Sequence, residues 1–164
     1  MSTSTPRITA LNPVHEDPCL ITVMIDGENL GTAAREDLEA SQVSLGMSAS
    51  DPRVCALKKL IDMRSARSHA MGLLSRADFP KAGLVERLLK HGVESTIANQ
   101  VVQDILKDGW IDDESYARKR IWMLREEEGH STDECRARLH AERVDRAVVE
   151  RVIAGEDRRE SEFG

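Results

Sequence analysis

The sequence predicts a mostly helical protein built from tandem three-helix modules, with a small β element at its N-terminus. Aromatic residues make up only 3% of the 164 residues, which disfavours a strand-rich sandwich, whereas 40% hydrophobic and 32% charged residues suit a helical protein. Beyond residue 50, apolar residues return at spacings of three and four, the period of an amphipathic helix. A shift of 51 residues then superposes this apolar pattern on itself, which indicates a repeat.

The β signals lie in the N-terminal segment, residues 1–49. The better of its two short apolar runs places Ile21, Val23 and Ile25 on one face of a strand. That run ends at Asp26-Gly27, a dipeptide typical of a two-residue hairpin turn. We therefore expect a β-hairpin followed by a linker in this segment.

A long helix is predicted from Ser50-Asp51-Pro52 onward. An N-cap candidate is followed there by proline at the first helical position, where its missing N–H costs nothing. The apolar stripe of this helix continues without a breaker to Asp78. Four further start signals precede apolar stripes: Asp78-Phe79-Pro80, Glu94-Ser95, Asp112-Asp113 and the capping box Ser131-Thr132-Asp133-Glu134.

A short segment between two of these helices, residues 109–113, is called the joint below. Gly109 suits a helix C-cap because glycine adopts the left-handed conformation without a Cβ clash. Asp112 and Asp113 offer N-cap oxygens and place negative charge at the positive end of the next helix. We expect Trp110 and Ile111, which lie between the two signals, to pack between the helices.

The shift by 51 residues pairs apolar positions over about 40 residues. The pairs are Leu88 with Leu139, Val93 with Val144, Ile97 with Val148, Val101 with Val152 and Val102 with Ile153. Chance coincidence is the alternative, but the spacing favours two copies of a three-helix module, each too small to bury its apolar faces alone. We expect the long helix and first module in residues 50–113, the second module in residues 114–154 and a charged, disordered tail in residues 155–164.

Composition also restricts the location and the class of partner. No stretch approaches eighteen apolar residues and no apolar run follows the polar N-terminus, so we expect a cytoplasmic protein without membrane contact. Cys19, Cys55 and Cys135 are odd in number and scattered, which predicts free thiols. The net charge of -6 disfavours a protein that grips duplex DNA over its whole surface. Any direct contact with nucleic acid is expected to be weak and confined to a local patch.

No catalytic constellation stands out in the sequence. Asp112 and Asp113 could form a paired-carboxylate site, but adjacent side chains at a helix start point apart, and helix capping explains both. His130, Cys135 and His140 are five residues apart, so they do not share a helix face as metal ligands spaced by three or four would. We therefore expect no enzyme, no cofactor and no metal.

Basic residues in the second module form the candidate contact surface. The predicted partner-binding residues are Arg118, Lys119, Trp122, Arg125, Arg136, Arg138 and Arg143. Arg118, Trp122 and Arg125 share one helical face, which would stack an indole ring between two guanidinium groups. An exposed Trp122 suits an interface anchor. An alternative of equal weight is a buried Trp122 covered by the aliphatic stems of the arginines.

The motif around the joint resembles the RecX regulatory proteins. The resemblance is carried by Leu106, then Gly109-Trp110-Ile111-Asp112-Asp113, then Tyr116-Ala117-Arg118, and it covers about residues 65–154. It implies tandem three-helix modules that bind the RecA recombinase filament on single-stranded DNA and inhibit its ATPase and strand-exchange activity. The protein would then be a non-enzymatic, monomeric regulator of DNA repair and recombination in the SOS response.

Three features depart from the family pattern. Members usually have a third module, whereas two are found here. Pro80 and Gly83 stand where members often place Ser and Glu, so the capping of that helix must differ, and acidic residues 126–128 replace basic ones, which disfavours direct DNA contact. Two other functions stay open: a helix-turn-helix protein that binds DNA, and a helical scaffold without recombinase activity.

Overall fold

Three strands followed by seven helices make up the part of the chain that the computed structural model describes, residues 4–163. The predicted class, mostly helical with a small N-terminal β element, is confirmed. The chain divides into two compact units, one up to Ser68 and one from His69 onward. No helix within residues 4–163 combines the length and the apolarity needed to cross a bilayer.

The first unit begins with a three-stranded antiparallel sheet in the order β1-β2-β3. Its strands are β1 (Ile8–Pro13), β2 (Leu20–Ile25) and β3 (Glu28–Ala34). The predicted hairpin is β2 and β3, in which Ile25 pairs with Glu28 across a turn whose two central residues, Asp26 and Gly27, both have positive φ. The short helix α1 (Arg35–Ser41) follows directly.

Apolar residues of the sheet and of the long helix α2 (Pro52–Leu74) form the core of the first unit. The strands contribute Val23 and Ala33, and the helix contributes Leu57 and Ile61. The helix starts where the sequence predicts, because Asp51 Oδ1 accepts a hydrogen bond from the Arg53 N–H at 2.9 Å. The predicted N-cap is therefore confirmed.

The second unit contains the end of α2 and five further helices. These are α3 (Lys81–Lys90), α4 (Ser95–Lys107), α5 (Asp113–Glu126), α6 (Thr132–Ala141) and α7 (Arg146–Phe163). Below, the first module means α3 and α4 with the end of α2, and the second module means α5, α6 and α7. The buried side chains of the second module form one cluster of their own, which includes Leu124, Leu139 and Val149.

The helices follow the predicted period of 51 residues. Helix α6 begins and ends 51 positions after α3, and α7 begins 51 positions after α4. Equivalent core positions are buried in both modules: Leu84 with Cys135, Leu88 with Leu139, Val101 with Val152 and Val102 with Ile153. The period of 51 residues therefore relates the helix starts of the two modules and also their buried faces.

The charged C-terminal segment differs from the expectation. We expected residues 155–164 to be disordered, but α7 is helical through Phe163, and only Gly164 lies outside the described residues. The segment is rich in Glu and Arg, which favour helix. It is also held from another helix, because Arg125 of α5 forms ion pairs with Asp157 at 3.6 Å and Glu160 at 3.2 Å.

Helices α3 and α6 end in the same backbone motif but with different residues. The Val93 N–H donates to the Leu88 carbonyl at 3.0 Å, and the Val144 N–H donates to the Leu139 carbonyl at 3.0 Å. Such an ending places the residue before the donor in the left-handed region. That residue is Gly92 with φ of 96° in α3, and Arg143 with φ of 64° in α6.

We predict that Arg143→Gly raises the free energy of unfolding by about 1 kcal/mol, because an L side chain is strained in the left-handed region and glycine is not. The exposed ion pair that Arg143 forms with Glu86, at 3.7 Å, offsets little of this gain. The matched variant Gly92→Ala should lower the free energy by a similar amount. Urea denaturation followed by circular dichroism measures both, and a destabilising Arg143→Gly would contradict the prediction.

Candidate partner-binding surface

The joint has the geometry that the sequence predicts, with one exception. Gly109 has φ of 83°, and Asp112 caps α5 by accepting hydrogen bonds at Oδ1 from the Glu114 N–H at 3.0 Å and the Ser115 N–H at 3.4 Å. Ile111 is buried as expected. Trp110 is 61% exposed, so the expectation that it packs between the helices is wrong.

Asp113 caps a different helix from Asp112. Its Oδ1 accepts a hydrogen bond of 2.7 Å from the N–H of Lys81, the first residue of α3. The residue at the N-cap of α3 is Pro80, which has no side-chain donor or acceptor, so the missing cap is supplied from α5. The capping interpretation is confirmed for Asp112, whereas Asp113 caps α3 and not the helix that it begins, which explains the unusual start of α3.

The outer face of α5 carries exposed residues of mixed character. Trp122 is 60% exposed and Met123 beside it is also exposed, so the alternative with a buried Trp122 is wrong. Arg118 pairs with Glu114 of its own helix at 3.0 Å, and Lys119 Nζ lies 3.3 Å from Asp78 Oδ2. The surface thus presents a large indole beside cations that already have carboxylate partners.

Arg125 does not join this exposed face. Its side chain is only 17% exposed and points to the other two helices of the second module. Its guanidinium group donates to Thr132 Oγ1 of α6 at 2.9 Å and to Glu160 Oε1 of α7 at 3.2 Å. The expected stack of Trp122 between Arg118 and Arg125 therefore does not form, because Arg125 ties helices together.

The second predicted basic group is also paired with carboxylates. Arg136 binds Glu150 at 2.6 Å and Asp133 at 2.7 Å, and the hydrogen bond to Glu150 raises the pKa of the guanidinium and lowers that of the Glu150 carboxyl. Arg138 lies 3.5 Å from Glu142, and Arg143 pairs with Glu86 of the first module. The predicted cations are therefore locally neutralised, which weakens any sequence-independent attraction to phosphate.

A half-buried network around Glu142 was not predicted from the sequence. Glu142 Oε2 accepts a hydrogen bond of 2.8 Å from the Tyr116 hydroxyl, and Glu142 Oε1 accepts one of 2.9 Å from Arg120. Burial, followed by the hydrogen bond and the negative charge of Glu142, raises the pKa of Tyr116 to about 12. This network ties α5 to the end of α6, and no local sequence signal pairs residues 22 and 26 positions apart.

We predict that the single tyrosine ionises with a midpoint near pH 12, which absorbance at 295 nm measures directly. An unfolded phenol ionises at about pH 10. The stabilisation is therefore complete below about pH 10 and is lost as the pH rises through about 12. Glu142→Gln should move the midpoint down towards 10, and an unchanged midpoint in that variant would contradict the assignment.

We predict that Arg125→Ala loosens the end of α7. Loss of the contacts to Asp157, Glu160 and Thr132 should speed amide hydrogen exchange in residues 155–163 by about tenfold. Arg138→Ala is the matched control, because Arg138 is exposed and pairs only weakly with Glu142. Equal exchange in the two variants would show that Arg125 does not hold the helix.

The cysteines and histidines fit no metal site. Cys19 and Cys55 are exposed free thiols, and Cys135 lies in the core of the second module. His130 Nε2 lies 3.3 Å from Glu128, and His140 belongs to α6. Within residues 4–163, no group of three or more His, Cys, Asp or Glu side chains is arranged to hold a metal ion.

Comparison with known proteins gives one consistent result. No protein-family model matches the chain. The regulatory protein RecX of Mycobacterium avium is 32% identical over 92 residues, and that of Mycobacterium tuberculosis H37Rv is 30% identical over 92 residues. Each match covers 56% of this chain and 53% of the relative, so the chain spans about half the length of the curated relatives it matches.

Solved structures show the same fold. A crystal structure of regulatory protein RecX aligns with a TM-score of 0.69 at 13% identity and covers 92% of this chain and 73% of that chain. RecX from Lactobacillus salivarius aligns with a TM-score of 0.54 at 13% identity and covers 57% of this chain and 60% of that chain. The fold therefore defines a protein built from small helical modules. The chain is similar to RecX regulatory proteins in sequence over these 92 residues and in fold, as the motif around the joint predicts.

Proposed function

We propose that the protein binds the RecA recombinase filament on single-stranded DNA and inhibits its ATPase and strand-exchange activity. It acts as a non-enzymatic regulator of DNA repair and recombination in the cytoplasm, as part of the SOS response. Relatives named regulatory protein RecX support the proposal, and that name denotes no enzyme class. The motif that carries the resemblance is the joint itself, which links the two modules.

The exposed Trp122 is the observation that carries the binding role. Tryptophan is the residue most often found as a binding hot spot, and an indole left 60% exposed leaves a large apolar area in water. The chain has only two tryptophans, and both are about equally exposed. We therefore propose Trp122 as the anchor of the partner contact.

The basic residues divide into two roles in this proposal. Arg118, Lys119, Arg138 and Arg143 are exposed, and their ion pairs are weak enough to rearrange on binding. Arg125 and Arg136 are more buried and hold the helices of the second module in place. The first set contributes direct contacts, and the second set positions the surface.

In this proposal, inhibition results from binding across neighbouring subunits of the RecA filament. ATP hydrolysis and strand exchange require neighbouring recombinase subunits to move relative to each other. A pair of rigid helical modules wedged across two subunits opposes that motion, and the binding energy sets how strongly it does so. No reactive group of this chain is needed for the effect.

We predict that Trp122→Ala raises the concentration needed for half-inhibition of RecA ATPase on single-stranded DNA by at least about tenfold, because the anchor of the contact is lost. Leu45→Ala is the matched control, since Leu45 is as exposed as Trp122 but lies in the first unit. The ATPase rate is measured with the protein at substoichiometric and equimolar amounts. Circular dichroism checks that both variants keep the helical fold.

The ATPase assay, together with a duplex-DNA binding assay without recombinase, separates the other two functions. A helix-turn-helix protein binds duplex DNA without recombinase, and its affinity falls steeply with salt. A scaffold leaves the ATPase rate unchanged and binds no DNA. Unchanged ATPase and filament disassembly in the presence of the folded protein would overturn the proposed function.

A further inference from the structure

We propose that a cavity beside the joint receives a basic side chain, arginine before lysine, from a protein partner. The cavity lies within the second unit and has a volume of about 320 Å³. Its principal lining residues are Asp78, Phe79, Trp110, Asp112, Tyr116 and Lys119. We call it the joint pocket. Of the predicted partner-binding residues, it includes only Lys119.

One wall of the joint pocket is aromatic and open to water. Trp110 contributes an indole that is 61% exposed, which leaves much of its ring surface available to a guest. Indole is the aromatic group that attracts cations most strongly. The neighbouring Phe79 already shows this preference, because the Arg87 guanidinium lies 5.6 Å from the centroid of its ring.

The charges of the joint pocket favour a cationic guest. Two carboxylates, Asp78 and Asp112, line it with one cation, Lys119. Both cap hydrogen bonds of Asp112 use Oδ1, so its second oxygen adds acceptor capacity at the pocket wall. An anionic guest such as a phosphate meets two like charges here, whereas an ammonium or guanidinium group is attracted by both.

Lys119 already makes one of the contacts that we propose for the guest, the ion pair with Asp78. Its ammonium group lies 3.3 Å from Asp78, and the two side chains are 65% and 67% exposed. An ion pair this exposed contributes little, so a partner can displace the ammonium at small cost. Arginine competes best, because a planar guanidinium binds a carboxylate in bidentate fashion and stacks on an indole, which an ammonium cannot do.

This inference rests on the proposed function only for the identity of the partner, which would be RecA. The chemistry of the joint pocket is tested without RecA. The full chain is labelled with nitrogen-15, and its two indole N–H signals are assigned with Trp122→Phe. N-acetyl-arginine amide is titrated in, with N-acetyl-citrulline amide as the uncharged control at equal ionic strength.

The arginine amide should shift the Trp110 indole signal, with a dissociation constant on the order of tens of millimolar for this single side chain. The Trp122 signal should stay in place, and citrulline amide should move neither. Asp78→Asn should abolish the shift. A response equal for arginine and citrulline, or a shift produced by oligothymidylate instead, overturns the proposal.

Lys119→Gln gives the sharper test. Loss of a cation that contacts RecA after leaving Asp78 should weaken RecA binding, whereas the isolated arginine amide loses its competitor for Asp78. Removing the internal competitor should tighten arginine binding about two- to fivefold. Unchanged or weaker binding overturns the proposal. If arginine binds but RecA ATPase is unaffected by the protein, the proposed function fails and the joint pocket stands. If the protein inhibits RecA ATPase but arginine does not bind, only the proposal for the joint pocket fails.

Discussion

Two adjacent carboxylates at the joint fix the first module to the second. Asp112 satisfies the exposed N–H groups at the start of its own helix α5, and Asp113 satisfies the first N–H of α3. Hydrogen bonds from backbone amides to a charged carboxylate at a helix N-terminus are among the stronger ones in proteins. Because Asp112 and Asp113 are adjacent in the backbone, their hydrogen bonds hold the start of α3 beside the start of α5.

The charges of the second unit mostly hold it together. Arg125 contacts two carboxylates of α7, Arg136 contacts one of α6 and one of α7, and Glu142 binds both Tyr116 and Arg120. Among the described residues of the second unit, many of the chain's 23 Lys and Arg side chains are thus paired with carboxylates. Under the proposed function, recognition of the partner therefore depends on local features such as the two exposed indoles, and less on long-range attraction.

The features that the sequence predicts are those coded by neighbouring residues. The turn at Asp26-Gly27, the capping box at Ser131 and Glu134, and the cap at Asp112 each depend on residues within a few positions of one another. The missed features depend on distant residues. Arg125 shares a helical face with Trp122 in the sequence, but it pairs with the acids of α7. The same contacts hold a charged tail that we expected to be disordered. Exposure of Trp110 could not be read from its position between two caps, because burial depends on the helices around it.

The period of 51 residues applies to the core of each module but not to its C-terminal end. Within the modules, equivalent positions such as Leu88 and Leu139 remain apolar and buried. At the C-terminal end of each module, positions 51 residues apart no longer match in character. The buried Ile105 and Ile111 of the first module correspond to Glu156 and Glu162 of the second. In the first module α4 ends at Lys107 and the buried Ile111 follows in the joint, whereas in the second module α7 continues as a charged helix held by Arg125. Polar residues thus stand at the C-terminal end of the second module where the first has buried apolar ones, while the cores of both modules keep the same period.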